Sequence, residues 1–400
     1  MGWRETGIME SRLQFVVEVL QDEETMSALC LSYGISRKTG YKWKRRYLEF
    51  GPAGLADLAR VPLQHGRVTA LSIVEKIVAL KEAHLAWGPK KIVARLGLDD
   101  PQTVWPSAST AGEILKRHGL VKGRKRARWH ACGTGPFAPA EESNALWSAD
   151  HKGWFRTRDR KRCEPLTVMD AFSRCVLGLE ALNSTSDAEA WPVFERLFHE
   201  HGLPQRLRSD NGPPFASAGV SGLTPLSVRF VKLGIALERI DPGKPQQNGR
   251  HERFHLTMLP LAKEPQQDQA RQQAAFDAFR AEYNNERPHE ALAQTPPARH
   301  YVKSPRQMPD RLPEPDYPQE AAVRKVRSNG EIKWKGGLVY VSHSLIGEAV
   351  AIEETEEGEW ALRFFNTTIG VIDERHSKLR RRTALPNKQQ NGTAKTGGEV

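Results

Sequence analysis

The 400 residues are about two to four times the usual single-domain length, so several domains are expected, each burying a core of its own. A composition of 39% hydrophobic and 27% charged residues, without a run of about 18 apolar residues, is ordinary for a globular protein and excludes a membrane-spanning helix from the reading. Lys and Arg, at 59, outnumber Asp and Glu, at 48, and the net charge of +11 suits a polyanionic partner such as nucleic acid, although a basic housekeeping protein fits the charge alone equally well.

The opening MGWRETGIMESRLQ places charges where a secretion signal needs an apolar stretch, so a cytoplasmic protein is expected. From Ser11 to Glu49, Leu13, Phe15, Val16, Val19 and Leu20 recur at helical spacing, and Met26, Leu29, Cys30 and Leu31 begin a second apolar face. In SYGISRKTGYKWKRRY, Gly34 permits a tight turn and Ser36 can cap a helix carrying Arg37, Lys38, Lys42, Lys44 and Arg45. That is a helix-turn-helix pattern, with a basic solvated helix as the alternative. After a Gly/Pro/Ala stretch, helices over Ile73–Leu80, Lys90–Leu96 and Pro106–His118 predict a second small helical module. KRHGLVKGRKRAR, with Arg124, Lys125 and Arg126, reads as a basic linker able to track phosphates or as a solvated charge run. The domains so read are 1–62, 63–122 and a linker over 123–140.

From Leu146 alternating apolar residues predict strands at WSADHKGWF, CEPLTVM and CVLGLEAL, the first three antiparallel. Ser186-Asp-Ala-Glu189 has the capping-box form and opens a helix to about His201. RLRSD is a fourth strand, Thr224–Leu233 a helix and IALERI a fifth strand, before helices over about Gln247–Ala262 and Gln266–Tyr283. This order implies an α/β domain over 141–304 with a mixed five-stranded sheet. After Pro313, short strands joined by glycine turns predict a small β-barrel over 320–377, and 378–400 reads as a disordered tail. Cys30, Cys132, Cys163 and Cys175 form no CxxC pair, so neither a structural zinc site nor a disulfide framework is expected.

Three acids break their local patterns: Asp150 in an apolar strand, Asp210 at the end of another, and Glu252 on a helix. A carboxylate buried amid Trp147, Trp154 and Phe155 is costly unless a cation compensates, and a divalent metal is the natural compensator for several converging acids. Any one of them taken alone is as well read as a salt-bridged or capping acid. Together, WSADHKGWF, LRSDNGPPF and PGKPQQNGRHERFH followed by YNNERPHEAL closely resemble the catalytic core of DDE transposases and retroviral-type integrases, specifically the bacterial insertion-sequence transposases.

The resemblance implies a multidomain protein with N-terminal helix-turn-helix modules, an RNase H-like integrase core and a small C-terminal barrel. It implies that Asp150, Asp210 and Glu252 are the catalytic, metal-binding carboxylates, that two Mg²⁺ ions serve the reaction with Mn²⁺ as a substitute, and that the activity is strand cleavage and strand transfer at element ends. The partners implied are double-stranded DNA and further copies of the chain, in a bacterial cytoplasm on the nucleoid. The interval between Asp210 and Glu252 exceeds the family's usual one, and the Ala216–Gly222 loop takes the extra length. Arg250 and Arg253 flank Glu252 and can contact phosphate or orient the acid; Asn211 and Gly212 read equally as turn chemistry or DNA contact, and Asp170 as turn chemistry. A metal-dependent nuclease that cuts without joining, or an inactive DNA-binding regulator derived from a transposase, are the competing readings.

Overall fold

The computed structural model describes residues 7–57, 68–121, 137–241 and 243–381. The basic residues Arg124, Lys125 and Arg126 lie outside them. The chain divides into two compact units, Met1–Thr69 and Ala70–Val400.

The first unit holds α1 (Ile8–Gln21), α2 (Met26–Ser32) and α3 (Arg37–Phe50). Phe15, Val16, Val19, Leu29, Cys30, Trp43 and Leu55 form its core. Gly34 turns the chain between α2 and α3 at φ +64, where a side chain would be strained, and Ser36 caps α3 by accepting the Thr39 N–H. Gly40 brings α3 against α2, because a Cβ there would stand 2.6 Å from Cys30 Sγ. These are the parts of a helix-turn-helix, with α3 as its basic second helix.

In the second unit, α4 (Leu71–Ala83), α5 (Pro89–Asp99) and α6 (Ala108–Arg117) close over Ile77, Trp87, Ile92, Leu96, Ala111 and Leu115. The central sheet contains β1 (Leu146–His151), β2 (Phe155–Arg156), β3 (Arg162–Asp170), β4 (Val176–Leu182), β5 (Arg206–Ser209) and β6 (Ala236–Arg239). Its main order is β4-β3-β1-β5-β6; β3 is antiparallel to β1 and β4, while β5 runs parallel to β1 and β6. The five expected strands are present, but WSADHKGWF is divided. Gly153 at φ +85 breaks it, and only Phe155 and Arg156 resume pairing, with the start of β3.

Alternation along β1 decides what sits where. Trp147 and Ala149 face α7 (Asp187–His201) and α8 (Pro225–Lys232), in a core with Phe194, Phe198 and Phe230. The other sheet face packs α9 (Gly249–Lys263) and α10 (Gln269–Asn285) through Met169, Leu179, Phe254, Met258 and Phe276. Ser148 and Asp150 alternate with Trp147 and Ala149, so they face α9. Trp154, by contrast, is 56% exposed and does not surround Asp150. The desolvation of that acid comes from the helix laid across it rather than from the tryptophans beside it in sequence.

The expected capping box at α7 is not made. Glu189 instead accepts the Asn183 N–H (2.6 Å) and the Ser184 hydroxyl (2.9 Å), binding the preceding turn. A reciprocal box does form at α8 between Thr224 and Ser227.

The C-terminal strands are β7 (Ala322–Lys325), β8 (Glu331–Trp334), β9 (Gly337–Tyr340), β10 (Ala349–Glu354), β11 (Trp360–Phe364), β12 (Thr367–Asp373) and β13 (Lys378–Arg380). Five form an antiparallel sheet in the order β13-β12-β11-β10-β7. The β8–β9 hairpin, a separate two-stranded ladder, lies against both of its edges, β7 through β8 and β13 through β9, so that the strands surround one core in the manner of a small barrel. β13 lies in the segment expected to be a disordered tail. Leu379, 6% exposed, enters the barrel core and holds it there despite the surrounding charges. Val228 and Val231 of α8 belong to the same core, and Lys232 pairs with Glu348 at 2.9 Å.

Candidate active site

Asp150 is on β1 and Asp210 follows the last residue of β5. The parallel register Leu146–Arg206, Ser148–Arg208, continued by two residues, sets Asp150 beside Asp210 at the same end of the sheet. Asn211 and Gly212 shape the turn there. Asn211 Nδ2 donates to Ile240 O (2.6 Å), tying the ends of β5 and β6, and the Gly212 N–H donates to Asp210 Oδ1 (3.1 Å). A Cβ on residue 212 would approach Asp210 Oδ2 to 3.0 Å, so glycine leaves that carboxylate room.

Glu252 stands in the first turn of α9 and is exposed. Its position is set by its neighbours. His251 is completely buried, with Nδ1 2.8 Å from Ser148 Oγ and Nε2 2.5 Å from Thr167 Oγ1. One turn on, His255 Nε2 is 2.9 Å from the same Thr167 hydroxyl, and its Nδ1 is 3.7 Å from Asp150 Oδ2. Arg250 donates to Ala171 O (2.9 Å), fixing the start of α9 to the turn after β3. Two imidazoles and one guanidinium thus pin α9 across β1 and β3.

The Asp150 carboxyl is pushed up to about 7 by burial first, then by the charge of Asp210, with Glu252 adding to it. The charges of Asp210 and Glu252 thus both reach Asp150. Burial holds His251 well below its ordinary value, aided by His255, and holds His255 down to about 3, aided by Lys152 and His151, so both rings are neutral. Asp170 is fully buried as well, accepting from the Asn144 N–H, the Ser173 N–H and the Ser173 hydroxyl. That is turn chemistry, and it anchors the entry to β1.

The donor set suits a hard divalent cation at Asp150, a desolvated carboxylate that also feels the charges of two more acids. Among the described residues, three ligand atoms within 4.8 Å of one another occur at Asp150, His251 and His255. Asp210 and Glu252 do not join them at that spacing. Both nitrogens of His251 are engaged by hydroxyls, which leaves Asp150 as the charged member of the group and His255 Nδ1 beside it. The two histidines escaped the sequence reading, although His251-Glu252-Arg253-Phe254-His255 spells H-E-x-x-H, a helical spacing that puts both imidazoles on one face. In a metalloprotease that face meets zinc; here it is buried against the sheet.

Of the other residues expected to meet DNA, Arg37, Lys38, Lys42 and Arg45 are exposed on α3 and Lys44 is half-buried. Lys42 also lies over the Trp43 ring at 4.4 Å. Arg253 is exposed on α9 beside Glu252.

Family models match in four places: a helix-turn-helix domain over 11–62, a homeodomain-like domain over 39–115, an integrase core domain over 233–297 and the C-terminal domain of IS481 family transposases over 321–380. The integrase-core match contains Glu252, His251 and His255 but neither aspartate. An uncharacterized 39.2 kDa protein of insertion element IS476 from Xanthomonas euvesicatoria is 24% identical over 64% of this chain and 74% of its own length. An uncharacterized 31.7 kDa protein of insertion element IS407 from Burkholderia multivorans is 28% identical over 42% of this chain and 57% of its own. Among solved structures, a chain of the simian T-cell lymphotropic virus intasome is 15% identical, covering 73% of this chain and 97% of its own with a TM-score of 0.35. The magnesium complex of the HTLV-2 integrase catalytic core is also 15% identical, covering 40% and 99% with a TM-score of 0.31. The chain carries helix-turn-helix, integrase-core and IS481-family C-terminal domains in that order, and it resembles the bacterial insertion-sequence transposases with a retroviral-type integrase core.

Proposed function

We propose that the chain is a DNA transposase that binds the terminal inverted repeats of its element and cuts and joins DNA strands. The observation that carries this reading is Asp150, a buried carboxyl on β1 whose ionisation is opposed by the charges of Asp210 and Glu252, in a chain whose residues 233–297 match an integrase core. Two divalent cations, when bound, activate the attacking oxygen and stabilise the leaving oxygen of an in-line displacement at a phosphodiester. In this chain Asp150, Asp210 and Glu252 would hold them, Mg²⁺ or Mn²⁺. His251 and His255 are positioning residues that fix α9 and so aim Glu252. Water attacks first and leaves a 3′-hydroxyl at the element end; that hydroxyl then attacks a target strand, one phosphodiester replacing another without a covalent enzyme intermediate. The exposed cations of α3, Arg37, Lys38, Lys42 and Arg45 with Lys44, are suited to the major groove and its phosphates, and Arg253 to a phosphate beside the acids. Joining two element ends calls for more than one copy of the chain. Purified protein given labelled DNA from the gene's own flanks and Mg²⁺ or Mn²⁺ is expected to form joined product, and Asp210→Asn protein is expected to form none. Specific binding without cutting under either metal would reject the reading in favour of a regulator.

A further inference from the structure

On the far side of Asn211 from Asp210 in the chain lies a cavity of about 500 Å³ between the Ala216–Gly222 loop, the end of β6 and strand β12 of the barrel. Two guanidinium groups line it. Arg239 donates from Nη2 to Gly222 O (2.7 Å), and Arg381 donates from Nη2 to Gly219 O (2.8 Å) and Ala218 O (3.2 Å). No acidic residue lines the cavity among the described residues. The loop is shaped around Arg239: Gly222 adopts φ +65, and a Cβ there would stand 2.6 Å from Arg239 Nη1. Ser217 and Ser221 accept backbone N–H groups within the loop, which leaves their own protons to donate.

Two like charges held by carbonyl dipoles, with no carboxylate among the described lining residues, are stabilised by an anion that joins them. Burial first, and then the charge of Arg381, disfavours the charge on Arg239, which a bound anion would offset. Guanidinium forks and hydroxyls match the oxygens of a phosphate. The cavity is also lined by Asn211, the residue after Asp210.

We propose that Arg239 and Arg381 form a phosphate pocket that takes a backbone phosphate of the DNA strand passing Asp210. This rests on the DNA-processing reading above. The long interval between Asp210 and Glu252 then has a use, since its Ala216–Gly222 loop supplies the carbonyls that hold both guanidiniums.

The test uses the full chain and two readouts besides activity. Inorganic phosphate, at matched ionic strength against chloride, is expected to raise the melting temperature of the parent and of Asp210→Asn protein, but not of Arg381→Gln or Arg239→Gln protein. Arg381 is exposed, so its variant keeps the parent's melting temperature without phosphate; Arg380→Gln, which removes a partner of Asp373 outside the cavity, is the control and keeps the phosphate response. With duplex DNA from the flanks, Arg381→Gln is expected to lower the slope of log affinity against log salt by about 1, the loss of one phosphate contact. A phosphate response that persists in both Arg239→Gln and Arg381→Gln overturns the pocket. Loss of that response with an unchanged salt slope overturns the assignment to DNA and leaves a free phosphate as the ligand. Asp210→Asn protein that still joins strands rejects the catalytic reading without touching either phosphate readout.

Discussion

His251 on α9 and Ser148 on β1 are joined at 2.8 Å in the interior of the second unit, and the next residue after His251 is the exposed Glu252. The bond links the third candidate acid to the strand that bears the first. Replacing His251 by Ala removes a buried ring and leaves the Ser148 and Thr167 hydroxyls without it, at about 1–3 kcal/mol for unmet polar groups plus the cavity. Urea unfolding of His251→Ala protein is expected to show a loss of about 3 kcal/mol or more, with strand joining reduced further than DNA binding. Wild-type stability in that variant would mean that the bond does not hold α9.

Asp150 supplies a pH signature. Its folded-state value near 7 lies above the ordinary carboxylate value near 4, so the folded state favours the protonated form. That contribution is complete below pH 4 and is lost as pH rises through about 7. The buried histidines act in the opposite sense, because their depressed values favour the folded state above pH 6.5 and cost stability as pH falls. The clean observable is therefore the difference between parent and Asp150→Asn protein without divalent ions. The variant is expected to be the more stable at pH 8, with the advantage shrinking toward pH 5. Mg²⁺ is expected to raise the parent's melting temperature more at pH 8 than at pH 5, and to do little for the variant.

The helix-turn-helix makes a separate prediction in the first unit. Ser36→Ala deletes the cap on α3 and is expected to cost about 1 kcal/mol. Arg45→Ala, at an exposed position, is expected to leave the fold intact while weakening binding to the element's flanks and reducing the salt slope by about 1. Unchanged affinity for both Arg37→Ala and Arg45→Ala proteins would show that α3 is a solvated helix and not a reader of DNA.

The barrel can be tested by truncation. The comparison is between a chain ending at residue 381 and one ending at residue 377, which lacks Leu379 and the β13 ladder to β12. Thermal melts of the two truncations should differ by several degrees, and equal melts would show that β13 adds nothing to the barrel.

Local chemistry made much of this legible. Gly34 and Ser36 announce the turn and cap of the helix-turn-helix, and the acids at 150, 210 and 252 stand out because each breaks its local pattern. The rest depended on partners far along the chain. The reason for His251 and His255 is in Ser148 and Thr167, about a hundred residues earlier, and no local period reports that packing. The capping-box spelling at Ser186 misled because Glu189 finds stronger donors in the preceding turn. The strand at Lys378–Arg380 was hidden in a run of charges, since one buried leucine is enough when the neighbouring strand offers an open edge.

The measurement closest to the central claim is strand joining on labelled flank DNA by Asp150→Asn, Asp210→Asn and Glu252→Gln proteins, singly and in pairs, with Mn²⁺ present. If the three acids work as one unit, each single change abolishes joining at undiminished DNA binding, and each pair is no worse than its singles. Joining that survives in any of the three single variants at the parent's rate would contradict the account.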